Sequence, residues 1–141
     1  MLGEIIRRMS LLRRHHGAAV SYSEPFGGDA VFVITAFGGM YGGELGRISF
    51  QPFKPTDSCF VTDLIVSPEY RRQGIAINLL KRALLHSGCT MLVPVDIVED
   101  AIRFWSHLAI KGDLSVRLGL TQSEMWAIQY ALRPVDRQEN A

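Results

Sequence analysis

Two cysteines in 141 residues, Cys59 and Cys89, are too few for the scaffolds that cysteine builds. A disulfide framework needs a larger, even number at regular spacing. A zinc site needs Cys-x-x-Cys or suitably spaced histidines, and neither pattern occurs. Cys59 lies in an apolar run and Cys89 just past a helix-like stretch, so both read as buried free thiols of a reducing cytoplasm. No metal site is expected. Charge of one sign is also missing: fifteen basic residues stand against fourteen acidic ones, leaving no global footprint for nucleic acid. Apolar runs fall short of the ~20 residues a membrane helix needs. Neither Gly-x-Gly-x-x-Gly nor a P-loop is present, so the two commonest nucleotide signatures are excluded. Internal repeats and low-complexity segments are absent as well.

What remains is the balance of a globular protein, 48% hydrophobic and 21% charged, at a length that suits one domain over residues 1–141 with a single core. Leu2, Ile5, Ile6, Met9 and Leu12 recur at helical spacing while Arg7, Arg8, Arg13 and Arg14 largely lie off that stripe. Residues 1–16 are therefore expected to form an amphipathic helix docked on the domain. Strand-prone runs follow at 18–23, 30–36 and 45–50, separated by glycine-rich breaks that read as antiparallel hairpins. A fourth strand at 58–66 leads into a helix that ends at Gly88. A short apolar strand at 90–95 has the character of a buried parallel neighbour. A helix at 99–110 comes next, then strands at 114–118 and 125–132 as a closing hairpin, and a frayed polar tail at 133–141. The fold class is α/β (α+β), with a mixed, mostly antiparallel sheet of six to seven strands flanked by helices.

Function concentrates between the fourth strand and its helix, where residues 71–76 read Arg71-Arg72-Gln73-Gly74-Ile75-Ala76. Gly74 and the small Ala76 let the chain bend tightly and bring backbone N–H groups near a ligand. The first helical turn adds unpaired donors and a positive dipole end. Arg71 and Arg72 add charge that persists at any accessible pH, in a fork suited to phosphate. Such a turn fits a pyrophosphate; taken alone, it also fits a surface bend with a helix-packing glycine.

The longer stretch Asp63-Leu-Ile-Val-Ser-Pro-Glu-Tyr-Arg-Arg-Gln-Gly-Ile-Ala-Ile-Asn-Leu-Leu80 resembles the central motif of the GNAT superfamily of acyl-CoA-dependent N-acyltransferases. A second block of that family, Ala-x-x-Phe-Tyr-x-x-Leu-Gly, is echoed by Ala101-Ile-Arg-Phe-Trp-Ser-His-Leu-Ala109. The resemblance covers residues 58–112. It implies the GNAT fold with a splayed pair of fourth and fifth strands, and transfer of an acetyl or similar acyl group from acyl-CoA to a primary amine by direct attack on the thioester. The implied partners are acetyl-CoA or another acyl-CoA as co-substrate, and a protein lysine, an N-terminus or a small molecule as acceptor. A homodimer stays open, and so does a non-catalytic CoA-binding module.

By the same resemblance, backbone groups of Leu64, Ile65 and Val66 would pair with pantetheine. Those of Arg71 to Ala76 would hold the pyrophosphate, with Asn78 one turn on as a further contact. Asp63 is the first choice for the base that deprotonates the amine, because a charge inside an apolar strand is costly without a purpose. A water-facing strand aspartate is its plain alternative; Glu99, His107 and Asp96 are weaker candidates. The family's second block places a tyrosine that protonates the leaving thiolate where this chain has Trp105. An indole can pack against pantetheine but yields no proton near neutral pH. Tyr130 and Tyr41 are substitutes without a spacing argument. The family also inserts helices between its first two strands, and here residues 24–29 leave room only for a turn, so either the first strand is missing or the acceptor side is unusually open.

Overall fold

A computed structural model describes residues 20–28, 30–39 and 42–132. The expected N-terminal helix at 1–16, Tyr41 and the tail at 133–141 lie outside the described residues. Six strands form one sheet in sequence order: β1 (Ser21–Tyr22), β2 (Phe32–Gly38), β3 (Gly43–Phe53), β4 (Ser58–Val66), β5 (Met91–Pro94) and β6 (Ser115–Val116). Neighbours from β1 to β4 are antiparallel, whereas β4–β5 and β5–β6 are parallel. The change of sense follows the connections: tight turns can only reverse a strand, and a parallel partner needs a crossover. Two helices supply the crossovers, α1 (Ile75–Ser87) between β4 and β5 and α2 (Ile102–Lys111) between β5 and β6. Successive crossovers of one hand put both helices on one face of the sheet.

That face holds the main core. Ile75, Leu79, Leu80 and Ala83 form one stripe of α1 and pack with Ile34, Ile48, Phe50, Val61 and Leu92 of the sheet and Trp105 and Leu108 of α2. Gly88, at φ 68, closes α1 with its N–H on Leu84 O at 2.9 Å, and Lys54 Nζ donates to Gly88 O at 2.8 Å. Cys59 and Cys89 are free and buried, and burial pushes the Cys59 thiol up to about 12.

The chain's end departs from the closing hairpin the sequence suggests. Only Ser115–Val116 of the 114–118 run is a strand, and it lies parallel to β5. Residues 125–132 belong to a helix, α3 (Gln122–Leu132). The cause is a capping box: Thr121 Oγ1 accepts from Glu124 N at 3.2 Å while Glu124 Oε1 accepts from Thr121 N at 3.0 Å. Met125 and Ile128, three apart, then pack on Phe60, Val93, Val95 and Leu120 on the face opposite α1 and α2. Among the described residues no helix is long and apolar enough to cross a membrane.

Candidate active site

One irregularity in β4 sets the geometry of the site. Ser49 pairs with Asp63 but the next residue, Phe50, pairs with Val61, so Thr62 is an extra residue on β4. Its hydroxyl donates to Ser49 O at 3.3 Å. A strand alternates faces with period two, and one inserted residue reverses the alternation beyond it. Cys59 and Val61 before the bulge, and Leu64 and Val66 after it, therefore all pack toward the main core. Asp63 and Ile65 turn to the opposite face, where Ile65 is exposed.

β4 and β5 part at the same level. Their register runs from Ser58↔Met91 to Val61↔Pro94, and Val95 N donates to Val61 O at 2.9 Å in the last rung. Asp96 then takes a left-handed conformation, φ 51, and gives its N–H to Leu120 O at 3.0 Å instead of to β4. An open cleft occupies the fork, with Thr62, Asp63 and Leu64 on one arm, Pro94 and Asp96 on the other, and Trp105 contributed by α2.

Of the three β4 residues expected to offer backbone groups, the structure separates Ile65 from its neighbours. Ile65 O points at β3, so close to Gly46 that a Cβ there would lie 2.6 Å away. Val66 O points elsewhere and accepts from Arg71 Nε at 3.1 Å. Leu64, two residues earlier, shares the side of Val66. The fork is thus lined by the polar groups of Leu64 and Val66, and those of Ile65 serve the ladder.

The turn after β4 leads straight to α1. Arg71 to Gly74 are exposed, Ile75 is a buried anchor, Ala76 is half-buried and Asn78 is exposed one turn on. Arg72 and Gly74 are both left-handed, at φ 65 and 80. The first helical hydrogen bond runs from Asn78 N to Gly74 O at 2.9 Å, and no side chain caps the helix. The amides of Gln73, Gly74, Ile75, Ala76 and Ile77 therefore have no partner among the described residues, and, chain neighbours apart, none of those residues lies within 4 Å of where a Gly74 Cβ would sit. Open donors at the positive end of a 13-residue helix make an anion cradle.

Asp63 lines the cleft with its side chain 42% exposed, and Arg47 Nε lies 3.9 Å from its Oδ2. Arg47 also contacts Glu44 through Nη1 at 3.3 Å, so one guanidinium links two carboxylates beside the fork. Asp96 reaches the cleft too, but its Oδ1 accepts from Gln122 N at 3.3 Å, at the start of α3. Glu99 and His107 are exposed and outside the cleft wall, and Tyr130 is exposed on α3. Trp105 is 4% exposed, with its ring edge-to-face with Phe104 at 5.3 Å. No group of three or more metal-ligating side chains occurs among the described residues.

Arg47 and the Thr62 bulge are the features that sequence reading misses. The bulge had a signal: Thr62-Asp63 are adjacent polar residues inside an apolar strand, a break in period two. Arg47 had none, since its relation to Asp63 depends on the register of β3.

A family model described as an acetyltransferase (GNAT) domain matches residues 27–108, more than half of the chain. The chain belongs to the GNAT acetyltransferase family. No curated protein sequence matches it. Among solved structures it is similar to a nourseothricin acetyltransferase, at 20% identity and TM-score 0.48, over 57% of this chain and 49% of that one. A GNAT-family acetyltransferase from Staphylococcus aureus Mu50 shares 16% identity at TM-score 0.44, over 57% and 52%. A Trypanosoma brucei acetyltransferase shares 20% at TM-score 0.44, over 81% and 77%. This GNAT chain spans about half the length of the first two. Overlap at that level is loose, and the family assignment rests on the sequence match.

Proposed function

We propose that the protein transfers an acetyl or other short acyl group from acyl-CoA to a primary amine, by direct attack of the amine on the thioester. The observation that carries this reading is the continuity of the β4/β5 fork with the Gly74 turn: the fork-facing backbone groups of Leu64 and Val66, with Val66 O held by Arg71 Nε at 3.1 Å, run into amides at the start of α1 that have no partner among the described residues. Pantetheine amides suit the first set and a pyrophosphate suits the second. Arg71 and Arg72 stand beside the phosphates, with Gln73, Gly74, Ile75 and Ala76 as the backbone cradle and Asn78 as a side-chain contact. Asp63 takes the proton from the amine, directly or through one water. Arg47 keeps that carboxylate turned toward the fork. The acceptor is a protein lysine, an N-terminus or a small amine. Residues 1–141 act as one domain in the cytoplasm.

A second reading, a CoA-binding module without turnover, draws on Trp105, which supplies the cleft with no proton near neutral pH. Mass spectrometry for co-purified CoA, followed by a thiol-release assay across a panel of amines, separates the two. Bound CoA with release above background supports the enzyme. Bound CoA with no release from any amine supports the module, and the absence of binding removes both.

A further inference from the structure

The fork must accommodate negative charge on the departing sulfur, and its side chains offer few donors for that charge. Among the described residues lining the cleft, only Thr62 and Trp105 carry a side-chain O–H or N–H; the carboxylates of Asp63 and Asp96 are acceptors, and the remaining side chains are apolar. The Thr62 hydroxyl is already spent on Ser49 O at 3.3 Å. Trp105 makes no hydrogen bond to any described residue, although the residue is only 4% exposed. Yet no buried side-chain nitrogen or oxygen of the described residues lacks a partner. Both facts hold only if the indole N–H itself is open to solvent, and Trp105 meets open space where it lines the cleft. A ring fixed by core packing on the cleft wall thus carries one uncommitted, solvent-accessible donor.

We infer that the Trp105 indole N–H is a catalytic hydrogen-bond donor to the sulfur of the departing CoA thiolate. The inference rests on the acyl-CoA reading above. In the step it serves, the amine nitrogen bonds to the thioester carbon and the carbonyl π pair moves to oxygen. Asp63 or its water takes the amine proton. The carbonyl then re-forms as the C–S bond breaks, and the pair leaves on sulfur. Trp105 keeps its proton throughout, and the thiolate is protonated afterwards by solvent. A fixed donor aimed at a charge that appears only as the bond breaks favours the transition state over the ground state.

The test needs no acceptor. Binding of CoA and of desulfo-CoA, which lacks the sulfur, is measured from pH 7 to 10 by Trp105 fluorescence in a Trp126→Phe protein, where Trp105 is the only tryptophan. Trp105→Phe, with neither native indole, is followed by calorimetry. Asp63, Asp96 and Arg47 at the fork, and Glu99, Asp100, Arg103 and His107 on the turn and helix that carry Trp105, are the same in parent and Trp105→Phe. The affinity ratio therefore isolates the sulfur, and its change between the two proteins isolates the indole. As the CoA thiol ionises near its ordinary value of about 8.5, the preference for CoA should rise by roughly 10-fold or more, the scale of a hydrogen bond to a charged group. Trp105→Phe should abolish that rise, and Trp105→Tyr, which restores a donor, should recover part of it. A ratio that stays flat with pH in the parent overturns the inference even if Trp105→Phe does not fold, and so does a rise that survives in Trp105→Phe. If neither ligand binds the parent, the acyl-CoA reading itself has failed.

Discussion

Gly74→Val tests the phosphate turn in a way that separates strain from lost binding. Gly74 sits at φ 80, where an L side chain costs roughly 1–2 kcal/mol. Chain neighbours apart, no atom of the other described residues lies within 4 Å of the new Cβ, so no clash with them adds to that cost. The variant should fold with Tm lowered by about 3–6 °C. Gly112→Val is the matched control: it has the same φ of 80, caps the far end of α2 and lies outside the cleft wall. Both variants should lose similar stability without ligand. Acyl-CoA at 100 times the parental Kd should stabilise the parent and Gly112→Val by about 2.7 kcal/mol. A side chain standing where the pyrophosphate must approach the amides should lower affinity at least ~100-fold, leaving Gly74→Val only about 0.4 kcal/mol of stabilisation. Thermal denaturation with and without acetyl-CoA reads all six values. A folded Gly74→Val with the full ligand shift would refute the cradle, because the amides would have been approached through the added side chain.

Asp63→Asn should leave acyl-CoA binding near the parental value and cut turnover by about 100-fold or more, the scale of a lost general base; equal turnover would move that role elsewhere. Trp105→Ala empties a buried aromatic site and should cost about 3–5 kcal/mol in denaturant unfolding; a loss below ~1 kcal/mol would mean the indole is not packed as described. Cys59, with its thiol raised to about 12 by burial, should resist thiol reagents at pH 8 until the protein unfolds. Its folded value lies above the ordinary thiol value of 9.0, so its contribution to stability is intact below pH 9 and is lost as pH rises from there toward 12. Glu124 is held below the ordinary carboxylate range chiefly by the Thr121 backbone hydrogen bond, and then by the Thr121 hydroxyl. Its contribution is therefore present above the ordinary carboxylate value and disappears as pH falls through the lowered one. Protection factors of the α3 amides, corrected for the intrinsic pH dependence of exchange, should fall in acid, and a flat response would discard the capping box.

The parts of the fold legible in the sequence are those whose signals are local. Gly88 after an apolar stripe gave the end of α1, and glycine-rich breaks gave the hairpins of β1 to β3. The short apolar run before Pro94 gave a buried parallel strand. The Gly74 turn could be read because its demands are backbone demands, and they fall on consecutive residues. α3 was misread for a different reason: Met125, Ile128 and their neighbours are compatible with either period, and the deciding evidence was Thr121-x-x-Glu124, a helix start signal just outside the run.

The site itself needed tertiary structure because the fork comes from two causes on different strands. Thr62 adds a residue to β4, so that Asp63 faces away from α1 while Leu64 and Val66 keep packing toward it. On β5, Asp96 turns left-handed and bonds to Leu120, which draws the chain toward β6 just where β4 continues straight. Neither cause would suffice. A bulge beside an intact parallel ladder would turn Asp63 outward but leave Leu64 without open backbone groups, and a splay with Thr62 in regular alternation would put Asp63 in the core. Deleting Thr62 would join Val61 directly to Asp63, keep Phe50↔Val61 and Ser49↔Asp63 in register and leave Asp63 facing outward on a regular strand. Pairing Thr62 regularly with an added β3 residue would instead turn Asp63 toward the core, where an unpaired carboxylate is costly. The position of a single extra residue thus connects the sequence to the chemistry: it turns one carboxylate toward the acceptor side and leaves the backbone beside it free for the thioester arm.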